Sequence, residues 1–169
     1  MRKYQFDWAF LGDIASARPN LGDKIGLDTY RLLLFTMRDV LEKKYGSDET
    51  DSIMFEAGKI AGKNFFEHFI APVSSLEEFV SKTQQILREK GIGVLKIEDV
   101  QFENGKILLA VDEDVDCSGL PETSFEVCIY DEGFISALFE GFTDEPWTAK
   151  EVDCWCTGAR TCRFLVQKD

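Results

Sequence analysis

The sequence contains little that supports nucleophilic catalysis. Its 169 residues include one histidine, His68, so a serine–histidine or cysteine–histidine pair cannot form without that residue. His68 follows Glu67 on the flank of a predicted helix, where a surface or hydrogen-bonded histidine is the ordinary interpretation. The chain also lacks a dinucleotide fingerprint, because Gly91-Ile-Gly93 has no predicted strand before it and no third glycine after it. The sequence therefore favours a binding role over an enzymatic one.

Positive charge is also scarce. Lysine and arginine number 19 against 31 aspartates and glutamates, which gives a net charge of −12. A domain that binds nucleic acid or an anionic membrane surface needs the opposite sign to neutralise phosphates. No apolar run approaches the ~18 residues that a membrane-spanning helix requires. We therefore expect neither a nucleic-acid partner nor a membrane span.

The N-terminal region lacks the apolar stretch of a signal peptide, and the five cysteines are an odd number that cannot all pair. Both features favour a reducing, cytoplasmic location, where cysteines serve as metal ligands or core residues. At roughly 100 to 200 residues per domain, the length predicts a single domain over residues 1–169.

Periodic apolar residues predict three helices in the first half of the chain. Steps of three and four residues predict a helix over residues 23–45, ended by Gly46. A second helix is predicted over residues 51–69, before Pro72. A serine followed three residues later by a glutamate predicts a third helix from about Ser75 to Lys90, which Gly91 ends.

The pattern changes to apolar–polar alternation after residue 93, which predicts strands. Asn104-Gly105 is a strong hairpin signal. The predicted strands cover residues 95–102, 106–111, 124–130, 150–155 and 163–166, and one helix that starts after Gly133 is inserted among them. This order predicts an α+β fold, in which N-terminal helices pack on a C-terminal antiparallel sheet.

Four of the five cysteines fall in the last quarter of the chain, at positions 128, 154, 156 and 162. Zinc takes about four such ligands in a tetrahedral arrangement. Cys154 and Cys156 would share one face of a strand, so the four thiols form one possible ligand set. Glu151 is an alternative to Cys156, although this choice needs an irregular strand end. A third interpretation is that these cysteines are ordinary buried residues.

Two C-terminal segments resemble the signature of the 4-vinyl reductase domain, also called the hydrocarbon-binding family. They are residues 127–134 (VCIYDEGF) and 151–164 (EVDCWCTGARTCRF). Residues 18–22 (RPNLG) and 57–62 (AGKIAG) also resemble family landmarks, so the resemblance covers nearly the whole chain. It implies a fold like that of the TRAPP trafficking subunits, usually dimeric, with an apolar cavity between helices and sheet. Sensor domains of aromatic-responsive bacterial transcription activators share this fold.

The resemblance also implies a zinc site, because the Glu-x2-Cys-x7-Cys spacing is matched without a gap. The implied ligands are Cys128, Glu151, Cys154 and Cys162. Cys117 and Cys156 then remain ordinary residues. Four protein ligands leave no open position for water or substrate, so the zinc is expected to be structural.

Aromatic residues are abundant, with 14 phenylalanines, 4 tyrosines and 3 tryptophans. An ordinary core accounts for most of them. Because the resemblance implies an apolar pocket, we expect its lining to include Phe65, Phe69, Phe79 and Trp147.

These features together predict a zinc-stabilised cytoplasmic domain that binds an apolar or aromatic small molecule. We expect it to act as a sensor or ligand carrier through a homodimer, and to pass any signal to a separate effector protein. One alternative takes the family name literally, as a reductase of a tetrapyrrole vinyl group. A second is a TRAPP-like protein-interaction module whose cavity holds a structural lipid or nothing.

Overall fold

A computed structural model describes residues 3–169. The chain divides into two compact units, Met1–Asp39 and Val40–Asp169. The first contains the short helix α1 (Ile14–Ala17), whose first turn is capped by Asp13 through a hydrogen bond from the Ser16 N–H. Helix α2 (Leu27–Tyr45) crosses the boundary between the units. The assignment of one domain to residues 1–169 stays a prediction, and residues 1 and 2 lie outside the described part.

Two long helices follow the order predicted from the sequence. Helix α2 ends at Tyr45, and Gly46 adopts a φ of 83°, a conformation that side chains rarely allow. Helix α3 (Ser47–Phe65) starts immediately after this glycine and continues into a π-helical turn, Phe66–Ile70. The second helix therefore begins four residues earlier than its apolar pattern predicted.

Helix α4 (Leu76–Lys90) confirms the predicted capping signals. The Ser75 hydroxyl accepts a hydrogen bond from the Glu78 N–H at 3.1 Å. The Glu78 carboxylate in turn accepts one from the Ser74 N–H at 2.8 Å. Gly91, at a φ of 70°, ends the helix. In residues 3–169, no helix is long and apolar enough to cross a membrane.

The second half of the chain forms a four-stranded antiparallel sheet, which confirms the α+β fold class. The strands are β1 (Val94–Gln101), β2 (Lys106–Asp112), β3 (Trp147–Asp153) and β4 (Cys162–Lys168). Their order across the sheet is β1-β2-β4-β3. The predicted hairpin at Asn104-Gly105 connects β1 to β2 through one short 3-10 turn, Phe102–Asn104.

The predicted strand over residues 124–130 is wrong. Helix α5 (Ile129–Thr143) starts inside that segment, five residues before the predicted start at Phe134, and residues 113–128 form no strand. The β-branched and aromatic residues Val127, Ile129 and Tyr130 favour a strand locally. Tertiary packing overrides this preference, because most of α5 is buried against α3 and the sheet.

Two glycines allow α3 and α5 to approach until their backbones touch. A Cβ atom on Gly58 would collide with the Tyr130 carbonyl oxygen and lie 2.9 Å from the Phe134 nitrogen. A Cβ atom on Gly133 would collide with the Phe55 carbonyl oxygen. This contact fixes the position of the first turn of α5, and hence of Cys128 just before it.

Side chains of α5 also hold strand β3. The Ala149 N–H donates to the Ser136 hydroxyl at 2.8 Å, and the Glu151 N–H donates to Glu132 Oε1 at 2.9 Å. The Lys150 ammonium completes this set with an ion pair to Glu132 at 2.8 Å. The inner face of β3 carries the buried residues Trp147, Ala149 and Glu151. Helix α5 therefore determines where the Glu151 carboxyl lies.

Candidate functional site

Four cysteine side chains converge in the interior at one end of the sheet. Their sulfur atoms all lie within 4.8 Å of one another and belong to Cys117, Cys128, Cys154 and Cys162. The Cys128 Sγ lies 3.9 Å from the Cys154 Sγ and 3.8 Å from the Cys162 Sγ. A zinc–sulfur bond of about 2.3 Å in a tetrahedron separates two sulfurs by about 3.8 Å. The Cys128 sulfur is therefore spaced from those of Cys154 and Cys162 as sulfurs are in a zinc site.

A tight turn between β3 and β4 presents two of the thiols. Cys154 follows the end of β3, and its carbonyl accepts hydrogen bonds from the N–H groups of Thr157 and Ala159, each at 3.1 Å. Gly158 turns the chain at a φ of 98°. Cys162 opens β4 on the inner face of the sheet. A register shift between Glu151 and Asp153 supplies the irregularity that lets Glu151 and Cys154 lie near the same site.

The other two thiols come from outside the sheet. Cys128 precedes the first turn of α5. Cys117 lies in the segment after β2, where its N–H donates to Asp114 Oδ1 at 3.1 Å, and its Sγ lies 3.0 Å from that of Cys162. All four cysteines are buried and free, with no disulfide among the described residues.

Glu151 lies beside this thiol cluster. It is 2% exposed, and neither of its carboxylate oxygens has a hydrogen-bond partner within residues 3–169. Burial, the first cause, and the adjacent Cys154 thiol raise the pKa of Glu151 to about 9. A buried carboxyl without a hydrogen-bond partner is costly in free energy, and this one lies next to the four thiols.

The four thiols shift one another's pKa values. Neighbouring thiols, Cys117 first, raise the pKa of Cys128 well above its usual range, and the pKa of Cys162 is also raised. The same kind of contacts lower the pKa of Cys154. Four thiols this close cannot all ionise without a cation, and metal ligation requires thiolates. The sulfur-rich donor set therefore fits zinc.

The structure brings Cys128, Cys154 and Cys162 together, and Glu151 lies next to them. Their role as zinc ligands stays a prediction. Cys156 is buried but lies outside the group of mutually close donor atoms. Cys154 and Cys156 do not share a strand face, because both residues lie in the turn after β3.

Sequence reasoning missed Cys117, which it treated as an ordinary residue. The segment whose path was predicted wrongly separates Cys117 from the other cysteines. Its spacing from them therefore did not indicate a shared site. Its only mark in the sequence is its position five residues after the end of β2, the strand that pairs with β4.

A small apolar cavity adjoins the thiol cluster. It measures about 40 Å³ and is lined mainly by apolar side chains from α4, β1, β2 and α5, among them Phe79, Leu109 and Ile135. Two carboxyl groups, those of Asp114 and Asp131, also line it. Since about 10–15 Å³ suffices for one water, the cavity accommodates a few atoms before any side chain moves.

The two carboxyl groups that line the cavity lie near the thiol cluster. Carboxylate oxygens of Asp114 and Asp131 lie within 4.8 Å of each other and of the Cys128 sulfur. Asp131 Oδ2 is buried and accepts no hydrogen bond from the described part of the chain. Burial, followed by the charge of Asp116, raises the pKa of Asp114 to about 7, and burial also raises the pKa of Asp131.

Of the four aromatic residues predicted to line a pocket, Phe79 lines this cavity. Phe65 and Phe69 pack edge to face with ring centroids 5.0 Å apart. Trp147 stacks on Phe102 at 5.7 Å. These three aromatic residues form part of the core beside the cavity, so ligand contact by them stays a prediction.

The sequence comparisons connect this region with a known family. The family model of the 4-vinyl reductase domain matches residues 107–168, the part of the chain that holds every residue of the thiol cluster. Two uncharacterized proteins of Methanocaldococcus jannaschii are similar in sequence. One is 25% identical over 69% of this chain and 64% of its own length, and the other is 26% identical over 87% and 80%. The chain thus spans just under two thirds of the first relative.

Solved structures share the fold at low sequence identity. The phenol-responsive sensory domain of the transcription activator PoxR, solved with phenol, gives a TM-score of 0.65 at 13% identity, over 80% of this chain and 73% of that one. A vinyl-4-reductase family protein from Methanocaldococcus jannaschii gives a TM-score of 0.64 at 17% identity, over 98% of both chains. A trafficking protein particle complex subunit 3 from Naegleria fowleri, covalently bound to palmitic acid, gives a TM-score of 0.64 at 10% identity. The match covers 87% of this chain and 97% of that one.

These findings confirm the resemblance to the 4-vinyl reductase domain and the TRAPP-like fold.

Proposed function

We propose that this chain is a zinc-stabilised domain that binds an apolar or aromatic small molecule and acts as a sensor or carrier. The observation that carries the proposal is the apolar cavity beside a buried cluster of four thiols. Support comes from the neighbours, because one is a sensory domain solved with phenol and another is bound to palmitic acid.

Zinc has a structural role in this proposal. Cys128, Cys154 and Cys162 supply three thiolate ligands, and the family resemblance implies Glu151 as the fourth. An ion held by the three thiolates joins the β3–β4 turn to the start of α5. Because four protein ligands close a tetrahedral site, the zinc contributes folding free energy and not an open catalytic position.

The cavity limits the chemistry of the ligand. Its walls are apolar, which suits a hydrocarbon or aromatic body. Asp131 also lines it, and Asp131 Oδ2 has no hydrogen-bond partner among residues 3–169. A buried acceptor of this kind is satisfied by a hydroxyl or amine group on the ligand. We therefore propose a mostly apolar ligand with one hydrogen-bond donor.

A ligand panel tests this proposal. Phenol, benzylamine, toluene and palmitate are titrated into the zinc-loaded protein, with thermal unfolding and calorimetry as the measurements. A ligand that binds the native state is expected to raise Tm by about 5–10 °C at a hundred times its Kd. Phenol and benzylamine are expected to bind more tightly than toluene, and D131N is expected to remove that preference. Binding of palmitate alone supports the lipid-holding interaction module instead.

Matched valine variants locate the binding site. Val80 lines the cavity and Val73 does not, although both are half-buried and pack against the core. V80W is expected to weaken phenol binding at least about tenfold, because the indole ring occupies the space of the ligand. V73W is expected to leave the affinity unchanged. Equal affinity in both variants contradicts binding in this cavity.

Helix α2 supplies a surface for the proposed homodimer. None of its nineteen residues, all within the described part of the chain, is buried. Leu33 and Met37 lie on one face and are 62% and 54% exposed. An apolar stripe on a helix marks a surface that packs against a partner. We propose that a second copy of the chain covers it.

The homodimer is tested by light scattering after size-exclusion chromatography. The wild-type protein is expected to elute as a dimer and the L33E/M37E variant as a monomer, because two carboxylates replace the apolar contact. K43E makes the same total change in charge at an exposed site on α2 and is expected to stay dimeric. A dimeric L33E/M37E protein argues that another surface forms the interface.

We also propose a cytoplasmic location and a separate effector protein. Five buried free thiols are suited to a reducing compartment. The effector would recognise the dimer when the cavity is filled.

A further inference from the structure

The buried site offers more donors than a tetrahedral zinc ion uses. Four thiols lie within 4.8 Å of one another with the Glu151 carboxyl beside them, whereas the family resemblance implies only three thiols and the glutamate. One of the five donors must therefore stay outside the coordination sphere of the zinc ion, whose presence rests on the proposed function.

The spacing of the donor atoms favours the thiols. The donor atoms that all lie within 4.8 Å of one another are the sulfurs of Cys117, Cys128, Cys154 and Cys162, and Glu151 is not among them. The 3.0 Å between the Cys117 and Cys162 sulfurs is shorter than the ~3.8 Å between two zinc-bound sulfurs, so ligation requires a small outward shift of one of these two thiols.

The turn that carries Cys117 is held by its own hydrogen bonds. Asp114 Oδ1 accepts from the N–H groups of Asp116 and Cys117 at 2.8 and 3.1 Å. The Val115 N–H donates to the Ile92 carbonyl at 2.9 Å, which anchors the turn to the segment that follows the end of α4. The Cys117 side chain is fully buried. A ligand supported in this way is presented to the metal before it binds.

We infer that Cys117 is the fourth zinc ligand, so that the site is a four-thiolate site, and that Glu151 lies outside the coordination sphere. Cys117 then ties the segment after β2 to the β3–β4 turn and to the start of α5. The same turn carries Asp114, which lines the cavity, so zinc binding fixes one wall of the ligand site.

X-ray absorption spectroscopy of the zinc-loaded wild-type protein tests the ligand set without any substitution. Four sulfur neighbours at about 2.3 Å support the inference. Three sulfurs and one oxygen at about 2.0–2.2 Å overturn it and leave the zinc site of the proposed function intact. A wild-type protein that binds no zinc overturns both.

Cobalt-substituted variants of the full chain identify the residues. C117S is expected to lose about a quarter of the thiolate-to-cobalt charge-transfer absorption per bound cobalt, because one of four sulfurs is removed. It is also expected to bind zinc at least about tenfold more weakly. E151Q, and C156S as the matched buried cysteine outside the cluster, are expected to keep the wild-type spectrum. An altered spectrum in E151Q together with an unchanged one in C117S overturns the inference.

Discussion

Removal of zinc is expected to unfold most of the Val40–Asp169 unit. Metal binding in zinc-finger peptides contributes on the order of 10 kcal/mol, which is comparable with the whole stability of a domain, about 5–15 kcal/mol. Here the ion would connect β3, β4 and the start of α5, and without it four close thiols and the Glu151 carboxyl are left buried together. Circular dichroism during thermal unfolding, with and without a strong chelator, measures the effect.

The expected result is a fall in Tm of at least about 20 °C on chelation, or loss of the cooperative transition. Addition of excess zinc is expected to restore the transition. Chelator saturated with zinc beforehand serves as the control and is expected to have no effect. A metal-free protein that melts at the same temperature as the zinc-loaded protein contradicts a structural metal site.

The G58A and G133A variants are expected to have the largest effects among single substitutions away from the thiols. Each new Cβ collides with a backbone carbonyl of the opposite helix, and neither oxygen can move as the end of a flexible side chain can. Overpacking of this kind typically costs about 1–3 kcal/mol, and we expect about 3 kcal/mol or more where the obstacle is backbone. Urea unfolding of zinc-loaded protein measures the change.

S52A is the matched control, because Ser52 is an exposed position on α3. Its free energy of unfolding is expected to stay within about 0.5 kcal/mol of the wild-type value. Zinc affinity gives a second measurement. G133A is expected to weaken zinc binding as well, because Cys128 shifts with α5. A stable G133A protein with wild-type zinc affinity shows that α3 and α5 do not need this close contact.

The local signals in the sequence explain why most elements were predictable. The cap at Ser75, the helix ends at Gly46 and Gly91 and the turn at Gly105 depend on hydrogen bonds and φ angles within a few residues. Such interactions are encoded where they occur. The segment before α5 is different, because whether residues 124–130 form a strand or a helix start depends on contacts with α3, which is distant in sequence.

The same distinction applies to the site. Glu151, Cys154 and Cys162 belong to one hairpin, so their proximity could be predicted from their spacing in the sequence. Cys117 joins them only through the path of residues 113–128, which the sequence did not predict. The pocket was harder still, since Phe65 and Phe79 have similar local patterns and only the packing of α5 decides which of them lines the cavity.

The two outer strands of the sheet bear on how copies of the chain can associate. On β3, the N–H groups of Ala149 and Glu151 are already bonded to α5. On β1, a register shift falls between Ile97 and Asp99, beside charged residues. Irregular, charged or covered edges prevent a sheet from pairing with the sheet of another molecule. Edge-to-edge assembly of copies of this chain, and the aggregation that it leads to, is therefore disfavoured.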